Sequence, residues 1–416
     1  MTEIRKLSCG LRMVLDRLPY VQSVTTGIWV KAGCVDEENQ KLSGISHFIE
    51  HMMFKGTSKR SARDIAADAD ALGAQMNAFT SKESTCYYIK SFTSNVSEAC
   101  EILIDILTDS LFDPAEMAKE KQVVKEEMKM VEDSPDEDVM DLMYEELFSD
   151  EPLARSILGT PESLDGITHD DIKAYIAKEY SLDNIVVSVA GNFDADSVCE
   201  QFENALSCMT PIKEVKAYEP VIYVPSFRTK VKDIEQSQIC IAARTVEYGH
   251  DDISALQLVS NIMGGSMSSR LFQNIREEKG LAYTVYSTCA AHEKDGFYAI
   301  CAGVAHDKIE DTVAAIIDEL ETLALHGVTD KELETAKAQV KGGLIFSQES
   351  TGSRMLSAGK RALLKNQVKS LEELVKSIDD VTKDDISRVA AMITDVSTYS
   401  GALISKRDVD LSSIIK

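Results

Sequence analysis

The feature that most constrains the fold of this chain is an internal repeat. The ten residues that begin at Ser163 (SLDGITHDDI) return at Ser377 (SIDDVTKDDI), and six of the ten positions are identical. A second match involves five residues of the stretch from Glu116 to Ser134. The same five residue types return, in the same order and at a constant offset, in the stretch from Glu332 to Ser350. Two repeated segments in one order are typical of tandem copies of a fold. The sequence therefore predicts two homologous domains.

The length of the chain supports the same division, since 416 residues exceed what one ordinary hydrophobic core can organise. The stretch 210–231 has few helix signals and holds three of the eight prolines, which is typical of a linker. We therefore expect a first domain at 1–210, a linker at 211–230 and a second domain at 231–416.

Strand and helix patterns follow one another along the chain, which indicates an α+β fold. Alternating or β-branched strand patterns lie at 11–15, 23–32, 75–80, 84–91 and 185–190. Helical patterns lie at 62–72, 96–107 and 114–131. The last of these begins with Asp113 as the helix cap and Pro114 at the first position.

Composition excludes several classes of protein. A formal net charge of −25 argues against nucleic-acid binding, because neutralising phosphates requires an excess of Lys and Arg. The same charge suits either an acidic cleft for basic peptides or plain solubility. Nine cysteines with no Cys-x-x-Cys pair indicate free thiols in a reducing compartment. We see no secretory signal and no membrane-spanning run, so we expect a cytoplasmic protein.

The segment 44–54 carries the motif His-x-x-Glu-His, formed by His47, Glu50 and His51, on a helical pattern of apolar residues. Residues four apart share one face of a helix, so both imidazoles can point at a single position. Two imidazoles and a neighbouring carboxylate are what a catalytic zinc needs from one helix. The alternative is a solvated charged face on a helix that only packs against the core.

A catalytic zinc takes a third protein ligand, and the charged helix expected at 114–131 offers several glutamates. Glu120 and Glu127 are seven apart and share a face, whereas Glu126 is turned away by about 100 degrees. Most glutamates on such a helix are solvated surface, so residue type alone leaves the choice open.

The second copy has no counterpart of this set of residues. At the constant offset Glu120 corresponds to Ala336 and Glu127 to Gly343, and the second half has no His-x-x-Glu-His. We therefore expect a metal only in the first domain, with the second domain shaping the cleft.

The motif at His47–His51, with Glu127 about 75 residues later, resembles the inverzincin peptidases of the pitrilysin and insulinase family (peptidase family M16). Within that family the chain is most similar to the β subunit of mitochondrial processing peptidase and its bacterial single-chain relatives. The resemblance covers nearly the whole chain. It includes the segments 30–37, 77–83, 154–160, 268–272 and 276–283. Cys34 stands where the family more often has Ser, away from the site.

The resemblance implies a mostly antiparallel sheet packed with helices in each domain. It also implies one Zn²⁺ per chain, with His47, His51 and Glu127 as ligands. Glu50 would be the general base. Glu120 would not bind the ion itself but would orient one of its ligands and tune the metal.

The resemblance further implies the residues that bind substrate. Asn77, Ala78 and Phe79 lie where the family pairs a strand edge with the substrate backbone. Arg276 and Tyr283 match the pair that the second domain contributes to substrate and transition-state binding. From residue type alone, ordinary helix-end and core packing would explain those two.

The function implied is that of a zinc metalloendopeptidase that hydrolyses peptides or unfolded, presequence-like segments in an enclosed cleft. We expect a peptide substrate and a homodimer, with no nucleic-acid or membrane partner. The short segment Met263–Met267 replaces the longer glycine-rich loop of the partner subunit in two-chain relatives, which suits a homodimer. Two alternatives stay open: a non-catalytic scaffold, and a catalytic subunit that needs a separate partner chain.

Overall fold

The computed structural model describes residues 2–149, 151–209 and 223–415. These residues form two compact units. The first comprises Met1–Met128, Arg155–Glu219 and Phe346–Leu371, and the second comprises Lys129–Ala154, Pro220–Ile345 and Glu372–Lys416. The linker predicted at 211–230 lies mostly outside the described residues. No helix in the described part of the chain is both long and apolar enough to cross a membrane.

The strands of the described residues are β1 Thr2–Lys6, β2 Arg12–Arg17, β3 Ser23–Val30, β4 Gln75–Thr80, β5 Thr85–Phe92, β6 Ile185–Gly191, β7 Phe227–Val231, β8 Ser237–Thr245, β9 Ala282–Ala291, β10 Gly296–Val304 and β11 Ser400–Ser405. The α-helices are α1 Ile45–Met52, α2 Ala62–Ala71, α3 Val96–Asp109, α4 Pro114–Asp133, α5 Pro135–Leu147, α6 Pro161–Gly166, α7 His169–Glu179, α8 Ala195–Leu206, α9 Ile253–Gly264, α10 Ile309–His326, α11 Asp330–Ser347, α12 Thr351–Lys365, α13 Leu371–Asp379 and α14 Lys383–Ile393.

Each unit contains one sheet. Apart from the extra edge strand β1 in the first sheet, the strands of the two sheets follow one another in the same order. The first sheet runs β1-β2-β6-β3-β5-β4 and the second runs β7-β11-β8-β10-β9. In each, the first two strands of the shared order (β2 with β6, β7 with β11) are parallel and the following neighbours are antiparallel. The prediction of an α+β fold in two homologous, mostly antiparallel domains is confirmed.

Helix caps are set by local sequence. Asp113 accepts hydrogen bonds from the N–H groups of Ala115 and Glu116 at the start of α4, at 2.8 and 3.2 Å. Thr168 and Thr382, the matching residues of the repeat, form capping boxes with Asp171 and Asp385. Short polar side chains satisfy N–H groups that a helix start leaves without partners.

The core of the first unit lies under the motif helix. The apolar residues that give the segment 44–54 its helical pattern include Ile45, Phe48, Ile49 and Met52, and these four are fully buried in this core. Their burial fixes the rotation of α1 about its axis, so His47, Glu50 and His51 lie on the less buried face of the helix.

The first unit is completed by a helix from late in the chain. Helix α12 packs on β6 and β3, where the hydroxyls of Thr25 and Thr351 lie 2.9 Å apart. Arg354 donates two hydrogen bonds to Asp16, at 2.6 and 3.0 Å. In the second unit α5, from the first half of the chain, packs in the same way on β11 and β8. Nothing in the sequence predicted this exchange.

Candidate metal centre

Helix α1 begins after a glycine that the fold requires. Gly44 has φ 87°, a left-handed conformation, and a Cβ there would lie 2.5 Å from the carbonyl oxygen of Leu158. Only glycine adopts this conformation without strain and leaves room for that approach. The close contact with Leu158 fixes where the motif helix starts.

The structure brings together the three residues predicted as metal ligands. Nε2 of His47 lies 3.9 Å and Nε2 of His51 lies 3.4 Å from Oε2 of Glu127 on α4. The three ligand atoms all lie within 4.8 Å of one another, and no other such group of three occurs in the described residues. Two atoms bound to a tetrahedral zinc at about 2.05 Å are about 3.3 Å apart. Two imidazole nitrogens and a carboxylate oxygen at this spacing are compatible with zinc.

Glu120 lies behind His51, on the side away from Glu127. Its carboxylate is buried and lies 2.8 Å from Nδ1 of His51 and 2.6 Å from Nζ of Lys55. Burial opposes ionisation, but hydrogen bonds from His51 and Lys55 lower the pKa of Glu120. The Nδ1 atom of His51 is thereby engaged, so Nε2 is the nitrogen that faces Glu127. Sequence reasoning missed Lys55, although it lies four residues after His51.

His47 differs from His51 in its surroundings. Its Nδ1 atom is buried and has no hydrogen-bond partner among the described residues. Burial and the neighbouring His51 lower the pKa of His47 to about 4. The ring is therefore neutral at neutral pH, and a neutral imidazole offers one nitrogen lone pair to a metal.

Glu50 is fixed by a residue of the neighbouring strand. The hydroxyl of Thr80, at the end of β4, donates a hydrogen bond of 2.5 Å to Oε2 of Glu50. Burial raises the pKa of Glu50 against the lowering effect of this bond. Thr80 lies in the segment 77–83 that resembles the family, but its contact with Glu50 depends on the fold and has no signal in the sequence.

Strand β4 carries the residues predicted to bind substrate, and it is the last strand of its sheet. Asn77 is exposed, and its side-chain oxygen accepts a hydrogen bond of 2.9 Å from the N–H of Ala78. That N–H therefore lies outside the ladder with β5, on the open edge of the strand. The ring of Phe79 packs edge-on against Trp29, with centroids 5.5 Å apart.

Arg276 and Tyr283 lie in the second unit and contact each other. Arg276 lies in a π-helical segment, Phe272–Glu278, that the sequence did not predict. Its guanidinium is 4.6 Å from the ring centre of Phe272 and 5.8 Å from that of Tyr283. Tyr283 is 69% exposed at the start of β9, which is more than core packing would leave. Segments of π-helix occur often at functional sites.

Comparison with known proteins identifies the family of this chain. The family model for the insulinase family (peptidase family M16) matches residues 12–161, and the model for the peptidase M16 inactive domain matches 166–340. The uncharacterized zinc protease YmxG of Bacillus subtilis is 40% identical over 97% of this chain and 98% of its own length. The chain belongs to the M16 family. A second relative, the uncharacterized zinc protease SCO5738 of Streptomyces coelicolor, is 36% identical over 92% of this chain and 84% of its own length.

Solved structures show the same fold. A protease from Helicobacter pylori has a TM-score of 0.89 at 22% identity, over 97% of this chain and 99% of that one. A peptidase M16 inactive domain from Pseudomonas fluorescens has a TM-score of 0.90 at 18% identity, over 99% of both chains. A chain of Complex III2 from Candida albicans has a TM-score of 0.86 at 19% identity, over 99% of this chain and 98% of that one. At these identities the likeness concerns the fold alone.

Proposed function

We propose that this M16 protein is a zinc-dependent metalloendopeptidase with one zinc ion per chain. The observation that carries the proposal is the convergence of His47, His51 and Glu127, with Glu50 on the same helical turn as His51. Relatives named as zinc proteases over nearly the whole chain support it. The resemblance to the family favours an endopeptidase that acts on peptides or unfolded segments.

His47, His51 and Glu127 would hold the ion. When bound, zinc would supply Lewis acidity, which polarises a carbonyl group and lowers the pKa of water. Glu120 has a separate task in this proposal. By accepting the hydrogen bond of His51 Nδ1, it keeps the ring in the tautomer whose Nε2 carries the lone pair.

Glu50 would act as the general base and then as the general acid. Its carboxylate takes a proton from the attacking water and delivers it to the leaving amine. Burial, which raises its pKa, makes it a stronger base than an exposed glutamate. The hydrogen bond from Thr80 engages one oxygen, Oε2, and leaves Oε1 for the proton transfer.

We assign substrate binding to the open edge of β4. The N–H of Ala78, which now bonds to Asn77, would pair with a substrate carbonyl, so that the peptide adds a strand to the sheet. Such pairing recognises the main chain of the substrate rather than its side chains, so it suits extended, unfolded segments. The excess of acidic residues favours basic, presequence-like segments among them. Arg276 and Tyr283 would bind substrate and stabilise the negative charge that develops on the scissile carbonyl.

The expected partner is a second copy of the same chain in the cytoplasm. In two-chain relatives the partner subunit carries a longer glycine-rich loop, where this chain has only the short segment Met263–Met267. This chain also carries both the His-x-x-Glu-His motif and the Arg276–Tyr283 pair, a combination that suits a homodimer. Gel filtration of the pure protein, with peptide cleavage measured across the peak, separates an active homodimer from a subunit that is silent without another chain.

The decisive experiment compares matched glutamate variants in the pure protein. Glu50→Gln should retain zinc and lose turnover, because an amide cannot accept the proton. Glu127→Gln should lose zinc. Glu126→Gln, the neighbouring control on the outward side of α4, should change neither property. Cleavage by Glu50→Gln at the wild-type rate would show that the assigned base is wrong.

A non-catalytic scaffold is the second candidate, because a chain of Complex III2 shares this fold. Metal analysis and cleavage of a mixed peptide library, before and after a chelator, distinguish the two. The peptidase proposal requires zinc and chelator-sensitive cleavage. A pure protein without zinc or cleavage under any condition would favour the scaffold.

A further inference from the structure

The two histidines of the motif are oriented by different means. His51 has a polar partner behind its ring, because Nδ1 lies 2.8 Å from Glu120. His47 has none among the described residues, although its Nδ1 is buried. Metal-binding histidines usually use their second nitrogen to fix the ring. The orientation of His47 therefore depends on packing and on the backbone of the first turn of α1.

That first turn is bound by a buried carboxylate from outside the helix. Oε2 of Glu37 accepts a hydrogen bond of 3.0 Å from the N–H of Gly44, and Oε1 accepts one of 3.2 Å from the N–H of Ser46. Glu37 is 2% exposed. Ser46 directly precedes His47, so both oxygens of Glu37 are bonded to the backbone that carries this histidine.

We propose that Glu37 is a positioning residue for His47, and that it acts through the first turn of α1 as Glu120 acts on the ring of His51. The proposal rests on the zinc site described under the proposed function. It adds a role for Glu37, which hydrogen-bonds to Gly44, Ser46 and Arg155 and to none of the three proposed metal ligands.

The helix needs such a residue. The first four N–H groups of a helix have no partner within it, and Gly44 at the cap position has no side chain to satisfy them. An eight-residue helix is also too short to be stable by itself. A carboxylate at the N-terminus satisfies two of these N–H groups and interacts favourably with the helix dipole.

Glu37 is itself held by several segments of the first unit. Its carbonyl oxygen accepts a hydrogen bond from the guanidinium of Arg155. Two residues earlier, Val35 N–H donates to the carbonyl of Lys82 at 3.0 Å. A Cβ at Gly33 would lie 2.5 Å from that same carbonyl, so the segment fits closely against the β4–β5 turn. The carboxylate is therefore anchored and can transmit its position to the helix.

The test compares Glu37→Gln with Glu38→Gln, the same change on an exposed neighbour that pairs with Lys178. Burial raises the pKa of Glu37 to about 8, so the proteins are compared at pH 9, where most Glu37 side chains are ionised. Zinc affinity is measured by competition with a chelator. The visible spectrum of the cobalt-substituted protein reports ligand geometry.

Glutamine keeps one acceptor oxygen and turns an amide N–H₂ toward the other backbone N–H. We expect Glu37→Gln to lower zinc affinity by about tenfold or more, to change the cobalt spectrum, and to reduce kcat with little change in KM. Glu38→Gln should match the wild-type protein within twofold in each measurement.

A folded Glu37→Gln protein with wild-type zinc affinity and cobalt spectrum, but a lower melting temperature, would overturn the proposal and leave Glu37 a purely structural role. If Glu37→Gln does not fold, Glu37→Asp takes its place, because the shorter side chain cannot keep both hydrogen bonds. Unchanged zinc affinity in that variant would also overturn the proposal. A wild-type protein that binds no zinc would instead refute the proposed function.

Discussion

Removing α12 should unfold the first unit, although this helix lies far in sequence from the rest of that unit. A fragment of residues 2–209 contains the complete first sheet and every residue predicted to bind zinc. It lacks Thr351–Lys365, which covers one face of β6 and β3. That face includes Trp29, the single tryptophan of the chain, which is 2% exposed.

The loss can be estimated from the side chains that α12 buries. Met355, Ala362 and Leu363 pack with Trp29 in one buried cluster. Full burial contributes about 2 kcal/mol for a Met or Leu, about 1 for Ala and about 3 for Trp, hence about 8 kcal/mol in total. Domains are stable by about 5 to 15 kcal/mol, so the fragment should be marginal or unfolded.

Tryptophan fluorescence measures whether the first unit is folded, because Trp29 lies in the contact with α12. The chain has no other tryptophan to obscure its emission. The fragment alone should show red-shifted emission, exposure to iodide and no cooperative melting. Adding a peptide of residues 346–371 should restore a blue-shifted spectrum. A peptide with Gly359→Leu is the matched control, since any side chain at that position collides with Trp29.

The reasoning is refuted if residues 2–209 alone melt cooperatively at the midpoint of the full chain with buried tryptophan emission. It is also refuted if the Gly359→Leu peptide restores the spectrum as well as the natural peptide does.

Three further predictions concern single residues of the full chain. Gly359→Ala should lower the free energy of unfolding by about 2 kcal/mol, because its Cβ would lie 2.1 Å from Nε1 of Trp29; an unchanged denaturation midpoint contradicts this. Burial opposes the ionisation of Glu332, but hydrogen bonds led by that from Arg270 lower its pKa to about 2. Its stabilisation is therefore complete above about pH 4.5 and lost as the pH falls toward 2, so Glu332→Gln should cost about 2 kcal/mol at pH 7 and little at pH 2. Denaturation at both pH values tests this, and an equal cost at both would refute the sign. Arg276→Lys should lower kcat/KM at least tenfold with zinc content unchanged, because a lysine lacks the planar guanidinium; peptide kinetics with metal analysis would contradict it by showing wild-type kcat/KM.

Local patterns in the sequence were sufficient for much of the fold. The strands predicted at 75–80 and 185–190 are β4 and β6, and the charged helix predicted from Asp113 is α4. These elements follow from hydrophobic period and from caps, which depend on residues a few positions apart. The repeat around Thr168 and Thr382 likewise predicted two domains, because duplicated folds keep their helix starts.

The composition of the candidate site was also readable from the sequence, because His47 and His51 share a face at helical spacing and the motif resembles a known family. What the sequence by itself could not decide was which distant groups surround them. Lys55 and Thr80 contact the site through side chains whose neighbours are set by packing, and Glu37 reaches α1 only because a loop folds back.

The helix exchange has the same physical origin. Nothing local to α12 distinguishes it from a helix that packs on its own half of the chain. Its place is set by Met355 filling the space that Gly27 leaves open on β3 and by Arg354 meeting Asp16. Such complementarity joins residues more than 300 positions apart, so only the tertiary structure determines it.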